Sequence, residues 1–227
     1  MIDITRYNII DLSEKVETAL LKTDGDYIHG HSEIGRIVYL EEFHLSGWPG
    51  VRMHFIRGET HTGTHIEAPY KVFEGGKDVA SMPLDSFIGD AIVVDCSTKK
   101  AGEPITGREL EEAGVKEGDR VLVRGPVAQL SPIPYLTEEA TNWLIKKRIK
   151  LLALQNCTEY LPDQLSGKSP NDRGNAVELF RNEVAIIDGI VNLEKIRKKR
   201  VFLIALPLNF THLETSWGRI VALEERD

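Results

Sequence analysis

Cysteine is nearly absent from this chain of 227 residues, which has only Cys96 and Cys157. Both lie in or beside apolar runs. That argues against a disulfide-stapled scaffold and predicts two buried thiols in a reducing, cytoplasmic setting, with a single disulfide as the alternative. No apolar run approaches the length that spans a bilayer. The opening Met1-Ile2-Asp3-Ile4-Thr5 lacks a basic region followed by an apolar stretch, so no signal peptide is expected. Positive charge is in deficit, with 28 Lys and Arg against 35 Asp and Glu, a net −7. This balance argues against nucleic acid or an acidic membrane as partner. The G-x-G-x-x-G and P-loop patterns are missing, which leaves nucleotide binding without support. No repeat, low-complexity tract or linker interrupts the chain, so residues 1–227 read as one domain.

What is present is mostly strand. Ile9-Ile10-Asp11-Leu12, Ile37-Val38-Tyr39-Leu40 and Val51 to Ile56 come first. Ala91 to Cys96 is apolar for most of its length and predicts a strand buried on both faces. Arg120 to Arg124, Leu151 to Leu154, Val201 to Leu206 and Ile220 to Leu223 have similar character. Helices are fewer. One starts at Thr137 as N-cap, with Glu138 and Glu139 in its first turn and Lys146-Lys147-Arg148 at its end. A short one runs from Thr106 to Ala113 and stops at Gly114. Two more are expected over Asn175 to Asn182 and Asn192 to Lys199, the basic residues from Lys195 to Arg200 forming a solvated helix end. Pro162 to Gly174 reads as a long polar loop. The sum is a mixed α/β chain, rich in sheet.

The stretch with the most chemistry is His61-Thr62-Gly63-Thr64-His65-Ile66-Glu67-Ala68-Pro69. Two imidazoles and a carboxylate are a ligand set that holds a zinc-like ion and leaves a position open for water. A helix does not suit them, because Glu67 would leave the face shared by His61 and His65, and Gly63 and Pro69 disfavour helix. A straight strand would separate the histidines by roughly 13 Å, too far for one ion. The chain is therefore expected to turn at Thr62-Gly63-Thr64, with Glu67 on a short extended piece. The reading is a turn followed by a strand.

These residues and their flanks resemble the cyclase family of metal-dependent hydrolases, whose best-understood members are bacterial kynurenine formamidases. The family's H-x-G-T-H-x-D-x-P-x-H stands here as H-T-G-T-H-I-E-A-P-Y-K. Similar segments follow in order, among them Asp119 to Arg124, Ile186-Ile187-Asp188-Gly189-Ile190-Val191-Asn192-Leu193 and Ala205-Leu206-Pro207-Leu208. The resemblance implies a swivelling β/β/α fold, a homodimer or homotetramer, and hydrolysis of small amides, formamides or cyclic amides through water activated by one or two Zn or Mn ions. Formylkynurenine, of tryptophan catabolism, is the family's best-known substrate, and the arylformamidase reaction is the model for a C–N hydrolysis here.

Carried over residue by residue, His61 and His65 match the first two metal ligands, and Glu67 stands where the family has an aspartate. Lys71 replaces a histidine that handles protons. An ordinary lysine is protonated at neutral pH, so Lys71 either has its pKa lowered for catalysis, pairs with Glu67 or Asp188, or anchors an anionic substrate. Asp188 replaces a second-metal glutamate, and that glutamate's histidine partner has no counterpart near Asn175-Ala176. One divalent ion, Zn or Mn, is therefore expected rather than two, with Asp188 as an outlying ligand and Lys71 and Glu67 as the catalytic pair. Gln155-Asn156-Cys157 stands where many members carry an acid. His212, His29 and His31 read as structural or surface residues, Cys157 as a buried thiol, and Trp48-Pro49-Gly50 as a turn at the pocket. The rival reading is a repurposed member that binds a small anionic ligand without hydrolysis, or a lyase or dehydratase on the same scaffold.

Overall fold

In the computed structural model, described over residues 3–16, 18–20, 38–43, 51–128, 132–159 and 174–227, the most apolar segments become the middle of one large sheet. The strands run in chain order as β1 (Tyr7–Asp11), β2 (Thr18–Leu20), β3 (Val38–Phe43), β4 (Met53–Arg57), β5 (His65–Glu67), β6 (Ile88–Asp95) and β7 (Pro104–Ile105). They continue as β8 (Arg120–Arg124), β9 (Tyr135–Leu136), β10 (Leu151–Gln155), β11 (Ala185–Asp188), β12 (Arg200–Ile204), β13 (Thr215–Trp217) and β14 (Val221–Glu225). The helices are α1 (Leu84–Phe87), α2 (Gly107–Ala113), α3 (Glu138–Lys146) and α4 (Gly174–Arg181).

Nine strands form the main sheet, in the order β1-β14-β12-β6-β8-β10-β11-β5-β13. Its centre, β6-β8-β10-β11, is parallel, whereas β5 and β13 add antiparallel to one side. Parallel neighbours need crossovers, and α2, α3 and α4 supply them between successive central strands. The central strands are buried on both faces. Ile92, Val121, Val123, Leu152 and Ile186 pack with Leu110, Leu144 and Leu179 of the helices. The alternate residues Val93, Leu122, Ala153 and Ile187 pack against Leu12, Phe87, Leu193 and Ile220 on the other face. A continuous apolar run is what a two-sided strand requires. Each fully buried leucine here contributes about 1.5–3 kcal/mol relative to exposure.

Helix ends follow their caps. The Thr137 hydroxyl accepts from Ala140 N at 3.0 Å, and Thr106 with Glu109 closes a reciprocal capping box at the start of α2. The fourth expected helix is not formed. Asn192 to Lys199 contains only a 3-10 turn at Leu193–Lys195. The amides of Arg197 and Lys198 donate to Glu224 Oε1 of β14 at 2.6 and 2.8 Å, so a side chain takes donors that an α-helix would satisfy internally. Nor is the basic run a helix end, since Arg200 pairs from β12 with Asp119 at 3.0 Å. Both cysteines are free and buried, which removes the disulfide alternative. His29, His31, Ile37, Trp48-Pro49-Gly50 and residues 162–173 lie outside the described residues.

The sheet-rich α/β architecture is the one expected. A second sheet, β2-β3-β4, leaves Phe55 and Ile56 of β4 about three-fifths exposed. No helix among the described residues is long and apolar enough to cross a membrane.

Candidate metal centre

The turn and the strand fall where the spacing places them. Gly63 adopts φ +64°, a region open to glycine at no steric cost, and β5 begins two residues later. The turn is locked from β11's end. Gly189 also has positive φ, and a Cβ there would lie 2.5 Å from the Gly63 carbonyl oxygen. Thr64 Oγ1 donates to the Gly189 carbonyl at 2.6 Å and accepts from Glu14 N at 2.7 Å.

Register decides which side chains meet. β5 pairs with β11 as Asp188↔His65 and Ile186↔Glu67, and with β13 as Trp217↔His65 and Thr215↔Glu67. Residues directly opposite in an antiparallel pair share a face. His65, Glu67, Asp188, Thr215 and Trp217 therefore share one face. Ile66, between His65 and Glu67, points into the opposite core.

One atom of His61, one of His65 and one of Glu67 lie within 4.8 Å of one another. His61 Nδ1 is 3.1 Å, and His65 Nε2 3.5 Å, from Glu67 Oε1. Bonds of about 2.0–2.2 Å in a tetrahedral zinc shell separate adjacent ligand atoms by about 3.3–3.6 Å. The donor set therefore suits a divalent ion in type, with the two distances to Glu67 within a few tenths of an ångström of that range. His65 Nε2 is buried with no hydrogen-bond partner, and such an orphan is costly without one. The other ring nitrogen, Nδ1, lies 2.8 Å from the Gly63 carbonyl. A proton on Nδ1 leaves Nε2 as a lone pair facing Glu67. These features suggest a divalent metal.

Lys71 follows on a 3-10 turn, Pro69–Lys71, and its ammonium donates to Glu67 Oε1. Both side chains are largely buried. Burial pushes the Glu67 pKa up, but its polar neighbours, the Lys71 ammonium among them, outweigh it and hold the carboxyl well below the usual carboxylate range. Asp188 stands at the rim, two-thirds exposed, with Oδ2 3.9 Å from His65 Nε2. Its Oδ1 accepts from Gly189 N at 2.9 Å.

Other positions resolve into structure. Gln155 accepts from Leu193 N at 2.7 Å and donates to Glu194 at 3.1 Å, tying β10 to the turn after β11. Asn156 donates to the Pro126 carbonyl at 2.7 Å. Cys157 is buried, and burial with the nearby Cys96 and Glu159 raises its pKa well above that of an ordinary thiol. His212 is an exposed turn residue with φ +64°.

Two acids near the centre have no motif in the sequence. Glu159 is buried four residues beyond β10. Burial, then the charges of Asp188 and Glu67, push its pKa up to about 8. Its one sequence signal is an acid just past the carboxyl end of a parallel strand, where open α/β sheets gather ligands. Glu214 approaches His61 Nε2 to 3.3 Å, and no local pattern points to it.

Comparison with known proteins gives the chain's family. The Cyclase family model, described as "Putative cyclase", matches residues 10–158. A kynurenine formamidase of Bacillus cytotoxicus is 30% identical over 168 residues, 71% of this chain and 75% of that protein. One from Erythrobacter litoralis is 31% identical over 172 residues, 74% and 75% of the two chains. Among solved structures, isatin hydrolase A from Labrenzia aggregata superposes with a TM-score of 0.74 at 22% identity, covering 98% of this chain and 95% of that one. A predicted metal-dependent hydrolase from Bacillus stearothermophilus gives 0.70 at 20% identity, over 96% and 99%. With a family model matched across most of the chain and relatives at 30% identity, the chain belongs to the Cyclase family.

Proposed function

We propose that this protein is a metal-dependent hydrolase that cleaves the C–N bond of a small amide, formamide or cyclic amide, with one Zn or Mn ion held by His61, His65 and Glu67. The observation that carries the reading is the convergence of one atom each of His61, His65 and Glu67 within 4.8 Å of one another, the His65 atom being a buried Nε2 with no hydrogen-bond partner. The formamidase and isatin hydrolase relatives support the bond type.

When bound, the ion supplies a Lewis acid for the carbonyl and lowers the pKa of water toward about 7. The residues supply the rest. Glu67 is held ionised, and therefore ready to bind a cation, by its surroundings. Lys71 steadies that carboxylate. As an ammonium it offers a positive charge to an anionic substrate group or to the developing oxyanion. Burial and the charges of Asp188 and Glu67 raise the Glu159 pKa to about 8, which makes it the candidate source of a proton for the departing amine. Asp188, exposed at the rim, is placed to meet the substrate or to complete the ion's shell.

The working unit is proposed as a single domain in a cytoplasmic homodimer or homotetramer that acts on a small molecule, with no nucleic-acid or membrane partner. Free buried thiols support the compartment, and Phe55 and Ile56, exposed on β4, support a face that a second copy covers. The test is metal content per chain by elemental mass spectrometry on untagged protein, alongside turnover of formamides and lactams. About one Zn or Mn per chain is expected, with metal and turnover both lost in His65→Ala. Full metal occupancy with normal turnover in that variant would refute the assignment.

A further inference from the structure

The two nitrogens of His61 face different groups. Nδ1 looks toward Glu67 Oε1 at 3.1 Å. On the far side of the ring, Nε2 lies 3.3 Å from Glu214 Oε1 and 3.2 Å from Thr215 Oγ1. Glu214 is itself held at several points. Its Oε1 accepts from Thr60 Oγ1 at 2.8 Å, its carbonyl accepts from Ala68 N at 2.9 Å, and β13 begins at the next residue. Glu214 thus contacts the metal loop before His61, at His61 and just after Glu67.

We infer that Glu214 is a positioning residue for the centre, accepting the Nε2 proton of His61 so that the Nδ1 lone pair points at the ion. The inference rests on the reading of His61, His65 and Glu67 as the ion's ligands. A carboxylate can only accept. Glu67 faces Nδ1 at 3.1 Å as Glu214 faces Nε2, so the two carboxylates compete for the ring proton, and an ion at Nδ1 leaves that proton to Nε2 and Glu214. Metal-bound histidines commonly donate the other ring N–H to a carboxylate or a carbonyl, which fixes the ring and raises its basicity. His65 uses the carbonyl version, with Nδ1 2.8 Å from Gly63 O. His61 uses the carboxylate version. The two ligands are oriented by different partners, one within the loop and one from β13's edge.

The test compares wild type with Glu214→Ala and Glu214→Gln in two measurements. In the metal-free protein, ring nitrogen chemical shifts from ¹⁵N NMR report the His61 tautomer. With Glu67 competing at Nδ1, wild type is expected to show a clearly larger Nε2–H share than Glu214→Ala, and Glu214→Gln, whose amide oxygen still accepts, a share near that of wild type. Zn²⁺ affinity is then measured by chelator competition. A loss of about 10- to 100-fold is expected in Glu214→Ala, with about one ion per chain still bound at saturation and KM at saturating metal little changed. A merely structural role for Glu214 would lower the melting temperature without moving the tautomer. An unchanged tautomer, or unchanged Zn²⁺ affinity in a variant of a metal-binding wild type, overturns the inference and leaves the hydrolase reading standing. A wild type that takes up no metal overturns the hydrolase reading, and the tautomer still decides whether Glu214 sets the ring.

Discussion

Replacing Glu159 by Gln should flatten part of the pH dependence of stability in the metal-free protein. The side chain is buried, and its pKa is raised from 4.5 to about 8 by burial and by the charges of Asp188 and Glu67. Below about pH 4.5 the folded and unfolded states both hold the proton, and Glu159 adds no pH dependence. Between there and about pH 8 the unfolded chain releases the proton while the folded chain keeps it, so stability falls as pH rises. The slope is about 1.4 kcal/mol per pH unit. From pH 5 to pH 7 wild type should therefore lose about 3 kcal/mol through this one group. Gln matches the shape of the protonated acid and does not titrate. Urea unfolding of chelator-treated protein at pH 5, 6, 7 and 8 measures both chains, and other titrating groups cancel in the difference. Glu159→Gln should gain on wild type steadily with pH. Parallel curves would show that Glu159 ionises freely, and would remove it as a proton source near neutrality. A bound divalent cation should shrink the difference, because nearby positive charge favours the ionised form.

Gly189→Ala should cost about 2 kcal/mol or more, since the new methyl would meet the Gly63 carbonyl at 2.5 Å. Thermal unfolding measures the loss, and an unchanged melting temperature would mean that the metal loop is not locked by this contact. Thr106→Ala removes one half of the capping box on α2 and should cost about 1 kcal/mol by urea titration. No loss would show that Glu139, whose carboxylate accepts from Gly107 N at 3.0 Å, and Glu109, which accepts from the backbone N of residue 106 at 2.8 Å, secure that end without the hydroxyl. Burial, with Glu109 adding to it, pushes Cys96 up to about 12, and Cys157 is buried as well. A thiol reagent at pH 8 should leave the native protein untouched and titrate two thiols per chain in guanidinium. Rapid labelling of native protein would contradict the placement of both.

Features with a short-range cause were legible in the sequence. Gly63 between two histidines, with a proline beyond, is incompatible with helix and with a straight strand bridging one ion, which leaves a turn and then β5. Thr137 and Thr106 announce their helices because a cap needs only the next turn. The uninterrupted apolar run in β6 shows that both faces are covered. Even here a local signal misled at Asn192 to Lys199, where Glu224, on a strand that pairs with β12 far from that segment in sequence, takes the amides a helix would have used. The pairing of Lys71 with Glu67 stood among several options in the sequence, and burial of both groups selects it.

The grouping of His61, His65 and Glu67 was thus determined by the sequence alone, because the three sit within seven residues and share one turn. What surrounds the triad was decided only in three dimensions. Asp188, Glu214 and Thr215 reach it through the order and register of β11, β5 and β13, which bring together residues up to about 150 positions apart. Backbone shape is a property of neighbours along the chain. Convergence of side chains depends on which strands pair and in what register, and a one-residue slip of β11 or β13 would turn Asp188 or Thr215 to the opposite face.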